Sequence, residues 1–211
     1  MVVFSQIDIS DVNESDVLFL QKNLKRHFSD KAGLQRKDSV MGKALLCCML
    51  KECYGITDFF VDCDDNGKPF IVNGTIHFNI SHCDNRVICV CSDGEVGCDI
   101  ERIREYNEKI VRRFFSAEEY KVLSESKTPD ADFIRMWTLK ESVLKYSGEG
   151  LSGGLDFWNF SRHYKQEKFQ INGLYFICFE KDNYIISVCS LYNEVNEFDI
   201  DINKFIRIER G

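Results

Sequence analysis

Several features are scarce in this sequence, and each scarcity excludes a class of protein. Only two prolines occur among 211 residues, Pro69 and Pro129, and no low-complexity tract or short tandem repeat is visible. A flexible linker, a collagen-like segment and a solenoid are therefore not expected. There is no apolar run of the roughly 18 residues that a membrane helix needs. The opening MVVFSQIDIS lacks the basic and apolar regions of a secretory signal, so we expect a cytosolic protein that does not bind membranes.

Basic residues are fewer than acidic ones, and the cysteines do not follow a disulfide pattern. The chain has 27 Lys and Arg against 34 Asp and Glu, a net charge of −7, which disfavours binding to nucleic acid. The ten cysteines lie partly inside apolar runs, so reduced core thiols are expected. Cys89 and Cys91 alternate like one face of a strand and lack the spacing of a zinc site.

Hydrophobic periodicity predicts an α+β protein built in two parts. The first part is predicted to hold a strand, two helices and a meander of short strands, at residues 2–9, 15–28, 37–54 and from 59 onward. The second part is predicted to hold a helical block and three strands, at residues 107–147, 168–179, 184–191 and 200–208. Because helices are followed by strands twice, we predict two α+β halves of similar plan, residues 1–105 and 106–211.

The helix predicted at residues 129–147 is the best-marked element. Pro129 suits the first helical position, and Gly148 follows the predicted end. Glu141 lies beside the apolar face of this helix, where a buried carboxylate needs a partner. Lys145 follows one turn later, and an ordinary i, i+4 ion pair is sufficient to explain these two residues on their own.

Carboxylates from two segments form a candidate cation site. In a strand over EVGCDIERIR, Asp99 and Glu101 project to one face and repel each other unless a cation lies between them. With Glu141 they offer oxygen ligands without a cysteine–histidine cage, which suits a hard cation such as Mg²⁺. Ser81 and His82 point to opposite sides of an extended chain, so His82 cannot be the base for Ser81. Both can donate hydrogen bonds to phosphate, although a structural role is an equal alternative for His82.

Other candidate anion ligands have simpler explanations. Lys68 lies in a predicted hairpin turn, NGKP, from which it can reach an anion. Three basic clusters, at residues 24–31, 35–43 and 110–115, are by themselves more typical of solvated helix faces than of binding sites.

Five segments between Gly67 and Leu151 carry a family resemblance. They are GKP, FNISHC, VGCDIE, RFFSAEEY and WTLKESVLKYSGEGL. In this order and at these separations they resemble the Sfp-type 4'-phosphopantetheinyl transferases, most specifically in the W-x-x-K-E-S-x-x-K pattern at residues 137–145. The resemblance implies the 4'-phosphopantetheinyl transferase fold, a monomer of two pseudo-twofold related halves with coenzyme A bound in the cleft between them.

The resemblance also implies roles for individual residues. The implied Mg²⁺ ligands are Asp99, Glu101 and Glu141. The implied contacts to coenzyme A are Lys145 and Ser81 at the phosphates, His82 at the 3'-phosphate, and Lys68 and Pro69 along the adenine. The implied catalytic residues are Asp99, Glu141 and Lys145.

The implied reaction is transfer of 4'-phosphopantetheine from coenzyme A to a serine of an apo acyl, peptidyl or aryl carrier protein, which releases adenosine 3',5'-bisphosphate. The metal and Lys145 would stabilise charge developing on the diphosphate. We predict Glu141 as the base that takes the serine proton, and an aspartate-bound water or hydroxide is the alternative. A metal-dependent phosphodiesterase or nuclease and a non-enzymatic module that docks a carrier are the competing interpretations. The sequence does not distinguish which carrier or pathway is served.

One corner of the expected site departs from the family pattern. Many relatives have an arginine in the second helix that binds the 3'-phosphate, whereas Asp38 or Ser39 stands there in this chain. Arg36, Lys37 or Lys43 would have to replace it.

Two further residues of the motifs have structural interpretations. Glu119 matches a glutamate of the family, but SAEE is also a capping box, which we consider the better explanation. Lys140 falls inside the apolar helix face, where an internal ion pair is expected.

Overall fold

The structure of the protein is a computed structural model. It describes residues 1–150 and 155–210, apart from the side chain of Asp156. Within those residues, no helix combines the length and the apolar character that crossing a membrane would require.

The first half of the structure, residues 1–92, contains two α-helices and five strands. In chain order they are β1 (Val2–Asp8), α1 (Glu14–Leu24), α2 (Lys37–Tyr54), β2 (Val61–Cys63), β3 (Pro69–Ile71), β4 (His77–Cys83) and β5 (Arg86–Ser92). The side chain of Asn13 caps α1 by accepting the Asp16 N–H. Gly55 ends α2 with a φ of 68°, a left-handed conformation that glycine adopts without a steric penalty.

The second half, taken as the described residues from 96 to 210, contains five strands and four α-helices. They are β6 (Val96–Arg102), α3 (Glu108–Phe114), α4 (Ala117–Ser124), α5 (Pro129–Ser147), β7 (Lys168–Ile171), β8 (Leu174–Lys181), β9 (Tyr184–Ser190), β10 (Val195–Glu197) and α6 (Ile202–Arg210). As predicted, α5 begins at Pro129 and ends before Gly148, which has a φ of 75°.

Two four-stranded sheets form the centre of the molecule. Their strand orders are β10-β1-β5-β4 and β6-β9-β8-β7, and β2 pairs with β3 in a separate hairpin. Apolar residues of β1 and β5 pack against those of β6 and β9, so the two sheets share one core. The outer face of the first sheet packs against α1, α2 and α6, and that of the second against α3, α4 and α5. The predicted α+β class is confirmed.

The strand, helix and hairpin order occurs twice. β1, α2 and the β4–β5 hairpin in the first half correspond to β6, α5 and the β8–β9 hairpin in the second. The predicted pseudo-twofold relation and the boundary after residue 105 stay predictions, and the strand pairing does not follow that boundary. β6 lies before residue 105 yet pairs with β9 of the second sheet, and β10 lies after it yet pairs with β1 of the first.

Two strand predictions were wrong. The segment 200–208 forms α6 instead of a strand, because Ile202, Phe205 and Ile206 recur at helical spacing and pack on the first core. The segment 168–179 is not one strand, since an Asn172–Gly173 turn with positive φ at both residues separates β7 from β8. Asn-Gly is the usual signature of such a hairpin.

Candidate active site at the junction of β4, β6 and α5

The candidate site lies where the edge of one sheet meets the other and α5 crosses them. β4 and β6 lie side by side, and the Asn79 side chain bridges them by accepting the Cys98 N–H at 3.0 Å. Gly97 lets α5 pack directly on β6, because a Cβ there would lie only 2.1 Å from the Ser142 carbonyl oxygen. This close approach brings side chains of α5 to those of β6.

Ser81, Asp99 and Lys145 form a closed hydrogen-bonded cluster from three elements. The Lys145 ammonium donates to Asp99 Oδ1 at 2.7 Å and to Ser81 Oγ at 2.9 Å, while Ser81 donates to the same Asp99 oxygen at 2.9 Å. Burial raises the pKa of Asp99, whereas the Asp99 charge is the main cause that raises the pKa of Lys145 against its own burial. Lys145 therefore stays charged, and it pairs with Asp99 instead of making the simple i, i+4 pair with Glu141.

Asp99 keeps one oxygen for a further partner. Its side chain is 7% exposed, and Oδ2 is buried with no hydrogen-bond donor near it among the described residues. A buried carboxylate oxygen without a partner is costly in free energy. The atom is therefore suited to accept a cation or a proton that arrives with a ligand.

Glu141 is the second half-buried carboxylate at this junction. Burial is the main cause that raises the pKa of Glu141 to about 6, and the neighbouring Asp99 charge raises it further against the effect of Lys145. The carboxylate is thus largely ionised at neutral pH, yet it is a stronger proton acceptor than an ordinary glutamate.

Glu101, the third predicted metal ligand, already has partners. Its Oε2 accepts from Arg104 at 2.6 Å and lies 3.4 Å from the Cys83 sulfur. Across the described parts of the chain, no group of three or more His, Cys, Asp and Glu side chains is arranged to hold a metal ion. The three-carboxylate Mg²⁺ site stays a prediction, and Asp99 with its open oxygen and Glu141 are the members that fit a cation.

A cleft of about 330 Å³ opens beside this cluster. Residues from the β2–β3 hairpin, β4 and α5 line it: Asn66, Gly67, Lys68, Pro69, Asn79, Ile80, Glu141, Leu144, Lys145, Gly148 and Gly150. The cleft therefore brings together four predicted site residues, Lys68, Pro69, Glu141 and Lys145, with apolar side chains on the same walls. Leu151, the last residue of the motif, lies outside the described residues.

Other predicted contacts to coenzyme A do not line this cleft. His82 projects toward α2, where its Nδ1 lies 3.4 Å from Asp38 Oδ2, and Arg36 lies 2.5 Å from the same oxygen. Lys37 donates to the Val12 carbonyl at 2.7 Å. Of the three basic residues considered for the 3'-phosphate, Arg36 is thus the one linked to His82.

Lys43 is turned inward. Its ammonium donates to the Gly33 carbonyl and to Ser39 Oγ, and the side chain also lies over the Phe28 ring. Burial lowers the pKa of Lys43. Phosphate binding by Lys43 stays a prediction, and it requires this residue to give up both acceptors.

Glu119 and Lys140 form a buried ion pair away from the cleft lining. Lys140 Nζ lies 3.0 Å from Glu119 Oε2, and both side chains are 0% exposed. Ser116 and Glu119 make the predicted capping box of α4, and Glu119 also accepts the Phe160 N–H. The structural interpretation of both residues agrees with these contacts.

Sequence reasoning missed two polar residues of the site. Asn79 shares one face of β4 with Ser81, and the alternation of polar residues in FNIS is the signal that could have identified it. Glu95 lies 2.5 Å from Lys68 Nζ across 27 residues of sequence. No local pattern indicates such a distant pair.

Comparisons with known proteins agree with the motifs. Residues 95–189 match the model of the 4'-phosphopantetheinyl transferase superfamily. The chain is 39% identical over 147 residues to 4'-phosphopantetheinyl transferase gsp of Aneurinibacillus migulanus, covering 65% of this chain and 60% of the relative. It is 34% identical over 143 residues to 4'-phosphopantetheinyl transferase Sfp of Bacillus subtilis, covering 65% and 63%.

A third relative is 4'-phosphopantetheinyl transferase psf-1 of Bacillus pumilus, 33% identical over 127 residues that cover 58% of this chain and 54% of the relative. The chain spans less than two thirds of the length of each of these relatives. The match to the 4'-phosphopantetheinyl transferase superfamily model includes Asp99, Glu141 and Lys145, and it confirms the resemblance indicated by the motifs.

Proposed function

We propose that this protein transfers 4'-phosphopantetheine from coenzyme A to a serine of an apo acyl, peptidyl or aryl carrier protein. The observation that carries the proposal is the junction itself. Lys145 and Glu141 line one cleft, and Asp99 is bonded to Lys145 beside it; all three lie inside the segment that matches the transferase superfamily. A partly exposed ammonium next to a buried carboxylate oxygen that has no hydrogen-bond partner among the described residues suits an anionic ligand accompanied by a cation.

The cleft offers both kinds of surface that coenzyme A needs. Lys68 and Lys145 supply positive charge for phosphates at separate points of the wall, and Ile80 and Leu144 supply apolar contact for the pantetheine arm. Ser81 is able to turn its hydroxyl from Asp99 to a phosphate oxygen. Pro69 is available to pack against the adenine of coenzyme A.

In the proposed reaction the serine oxygen forms a bond to the β-phosphorus of coenzyme A. The bond from that phosphorus to the bridging oxygen breaks, and its electrons leave with adenosine 3',5'-bisphosphate. Glu141 is the group that we assign to accept the serine proton. Lys145, fixed by Asp99 and Ser81, places a positive charge where negative charge accumulates on the phosphate oxygens.

The donor set is suitable for a divalent cation. Asp99 Oδ2 and the Glu141 carboxylate would hold it, and Glu101 would join them after exchanging its Arg104 partner. When bound, such a cation supplies positive charge to the diphosphate. We further propose that the cation is Mg²⁺ and that the protein is a cytosolic monomer.

One reaction mixture separates this function from its competitors. It contains the purified protein, coenzyme A, MgCl₂ and an apo carrier protein, and intact mass spectrometry follows the carrier. A carrier that gains one phosphopantetheine supports transfer. Adenosine 3',5'-bisphosphate without carrier modification indicates hydrolysis, and a complex without chemistry indicates a docking module.

A matched pair of variants tests whether the junction is responsible. Asp99→Asn is nearly isosteric and should reduce transfer by at least about 100-fold, the size of effect typical of losing a key electrostatic group. Glu105→Gln neutralises an exposed carboxylate between β6 and α3 and should leave the rate unchanged. Equal rates in the two variants would contradict the assignment.

A further inference from the structure

The Lys68 side chain crosses from the β2–β3 hairpin to the C-terminal end of α5. Its Nζ donates to the Tyr146 carbonyl at 2.7 Å. The stem passes so close to Gly148 that a Cβ there would lie 3.0 Å from Lys68 Cδ. Since the last carbonyls of a helix lack intrahelical donors and carry partial negative charge, Lys68 caps α5 from a distant part of the chain.

Glu95 contacts the same ammonium. Glu95 Oε2 lies 2.5 Å from Lys68 Nζ, and the other carboxylate oxygen lies 3.0 Å from His77 Nδ1. The Lys68 side chain is 17% exposed and that of Glu95 is 45% exposed. An ammonium has three donors. Contacts within residues 1–150 and 155–210 occupy two of them, which leaves one for a ligand in the cleft that Lys68 lines.

We propose that Glu95 is a positioning residue, which orders the Lys68 ammonium at the cleft wall before coenzyme A binds. The proposal rests on the proposed function, because coenzyme A is the ligand concerned. A lysine without such a partner samples many rotamers, and ordering them on binding costs conformational entropy. With Glu95 present, the Lys68 side chain is already ordered in the folded protein. The anion therefore binds without this entropy cost and binds more tightly.

Removal of Glu95 should therefore weaken binding and leave the chemical step intact. In the Glu95→Ala variant we expect KM for coenzyme A to rise about 3- to 10-fold and kcat to change by less than about 2-fold. If Glu95 acts through Lys68, Glu95→Ala should have no further effect on KM in a Lys68→Ala background. A general loss of structure would lower kcat and would not depend on Lys68.

The chain offers a matched control for losing an exposed Glu–Lys pair. Glu197 and Lys181 lie 2.7 Å apart with side chains 45% and 41% exposed, and neither lines the cleft. Glu197→Ala should leave both kinetic constants unchanged. Glu95→Gln keeps an acceptor for Lys68 and should recover part of the affinity, and it provides the same comparison if the alanine variant does not fold.

Calorimetric titration with coenzyme A alone separates this proposal from the proposed function. The expected result is that wild type binds coenzyme A and that Glu95→Ala binds it 3- to 10-fold more weakly. If wild type binds and transfers but Glu95→Ala binds equally well, the positioning role is overturned and the transferase function stands. If wild type does not bind coenzyme A, both are overturned.

Discussion

Replacing Glu141 with glutamine is expected to stabilise the folded protein at neutral pH while it removes the proposed activity. Folding raises the Glu141 pKa from 4.5 to about 6, mainly because the carboxylate is buried and faces Asp99. The folded protein therefore holds a proton on Glu141 more tightly than the unfolded chain does. Charging this residue in the folded state costs free energy that the unfolded chain does not bear.

The size of the effect follows from the shift in pKa. Each unit corresponds to about 1.36 kcal/mol, so the shift from 4.5 to about 6 amounts to at most about 2 kcal/mol. Wild type has this contribution in full below pH 4.5 and loses it as the pH rises through about 6. The Glu141→Gln variant does not titrate there, so its free energy of unfolding relative to wild type should rise by up to about 2 kcal/mol between pH 4 and pH 8.

Urea denaturation at a series of pH values measures this difference directly. Glu105→Gln is the control, because an exposed carboxylate should change the free energy of unfolding by no more than about 0.5 kcal/mol at any pH. The reasoning is refuted if Glu141→Gln loses stability relative to wild type as the pH rises. That result would mean that attraction to Lys145 outweighs burial and that Glu141 is simply an ion-pair partner.

The remaining predictions concern the packing that builds the site. Gly97→Ala should destabilise the protein by more than about 3 kcal/mol, because overpacking against the Ser142 backbone cannot be relieved by a flexible side chain. Gly94→Ala is the control and should be tolerated. Thermal denaturation compares the two variants. Lys140→Met should cost about 3–5 kcal/mol by leaving Glu119 charged and buried without its cation, and adding Glu119→Gln should recover most of that loss. If Gly97→Ala or Lys140→Met is as stable as wild type, that result contradicts the packing described here.

The sequence was sufficient to predict those helices and strands whose ends are marked by particular residues and whose apolar face is clear. α5 begins at Pro129 and ends before Gly148 as expected, because these residues act on the helix ends without help from tertiary contacts. α6 was mistaken for a strand because Ile200, Ile202, Ile206 and Ile208 also fit a period of two. Only packing on the first core, which the sequence does not reveal, decides between these periods.

The sequence predicted which residues belong to the site better than it predicted which of them bond with each other. The motifs indicated Asp99, Glu141 and Lys145, which the fold brings to one junction. They did not indicate that Lys145 would bond with Asp99 and Ser81, or that Glu95 would hold Lys68. These partners lie 27 to 64 residues apart and meet only because two sheets and a helix converge.

We propose that Asp99 of β6 and Glu141 of α5 hold a divalent cation next to the diphosphate of coenzyme A. A crystal structure with coenzyme A and Mn²⁺, in which Mn²⁺ is located by its anomalous scattering, tests this most directly. We expect one cation bound by oxygens of both carboxylates and of the diphosphate, with Lys145 beside the phosphates. Coenzyme A bound elsewhere, or a diphosphate in the cleft with no cation on either carboxylate, would contradict it.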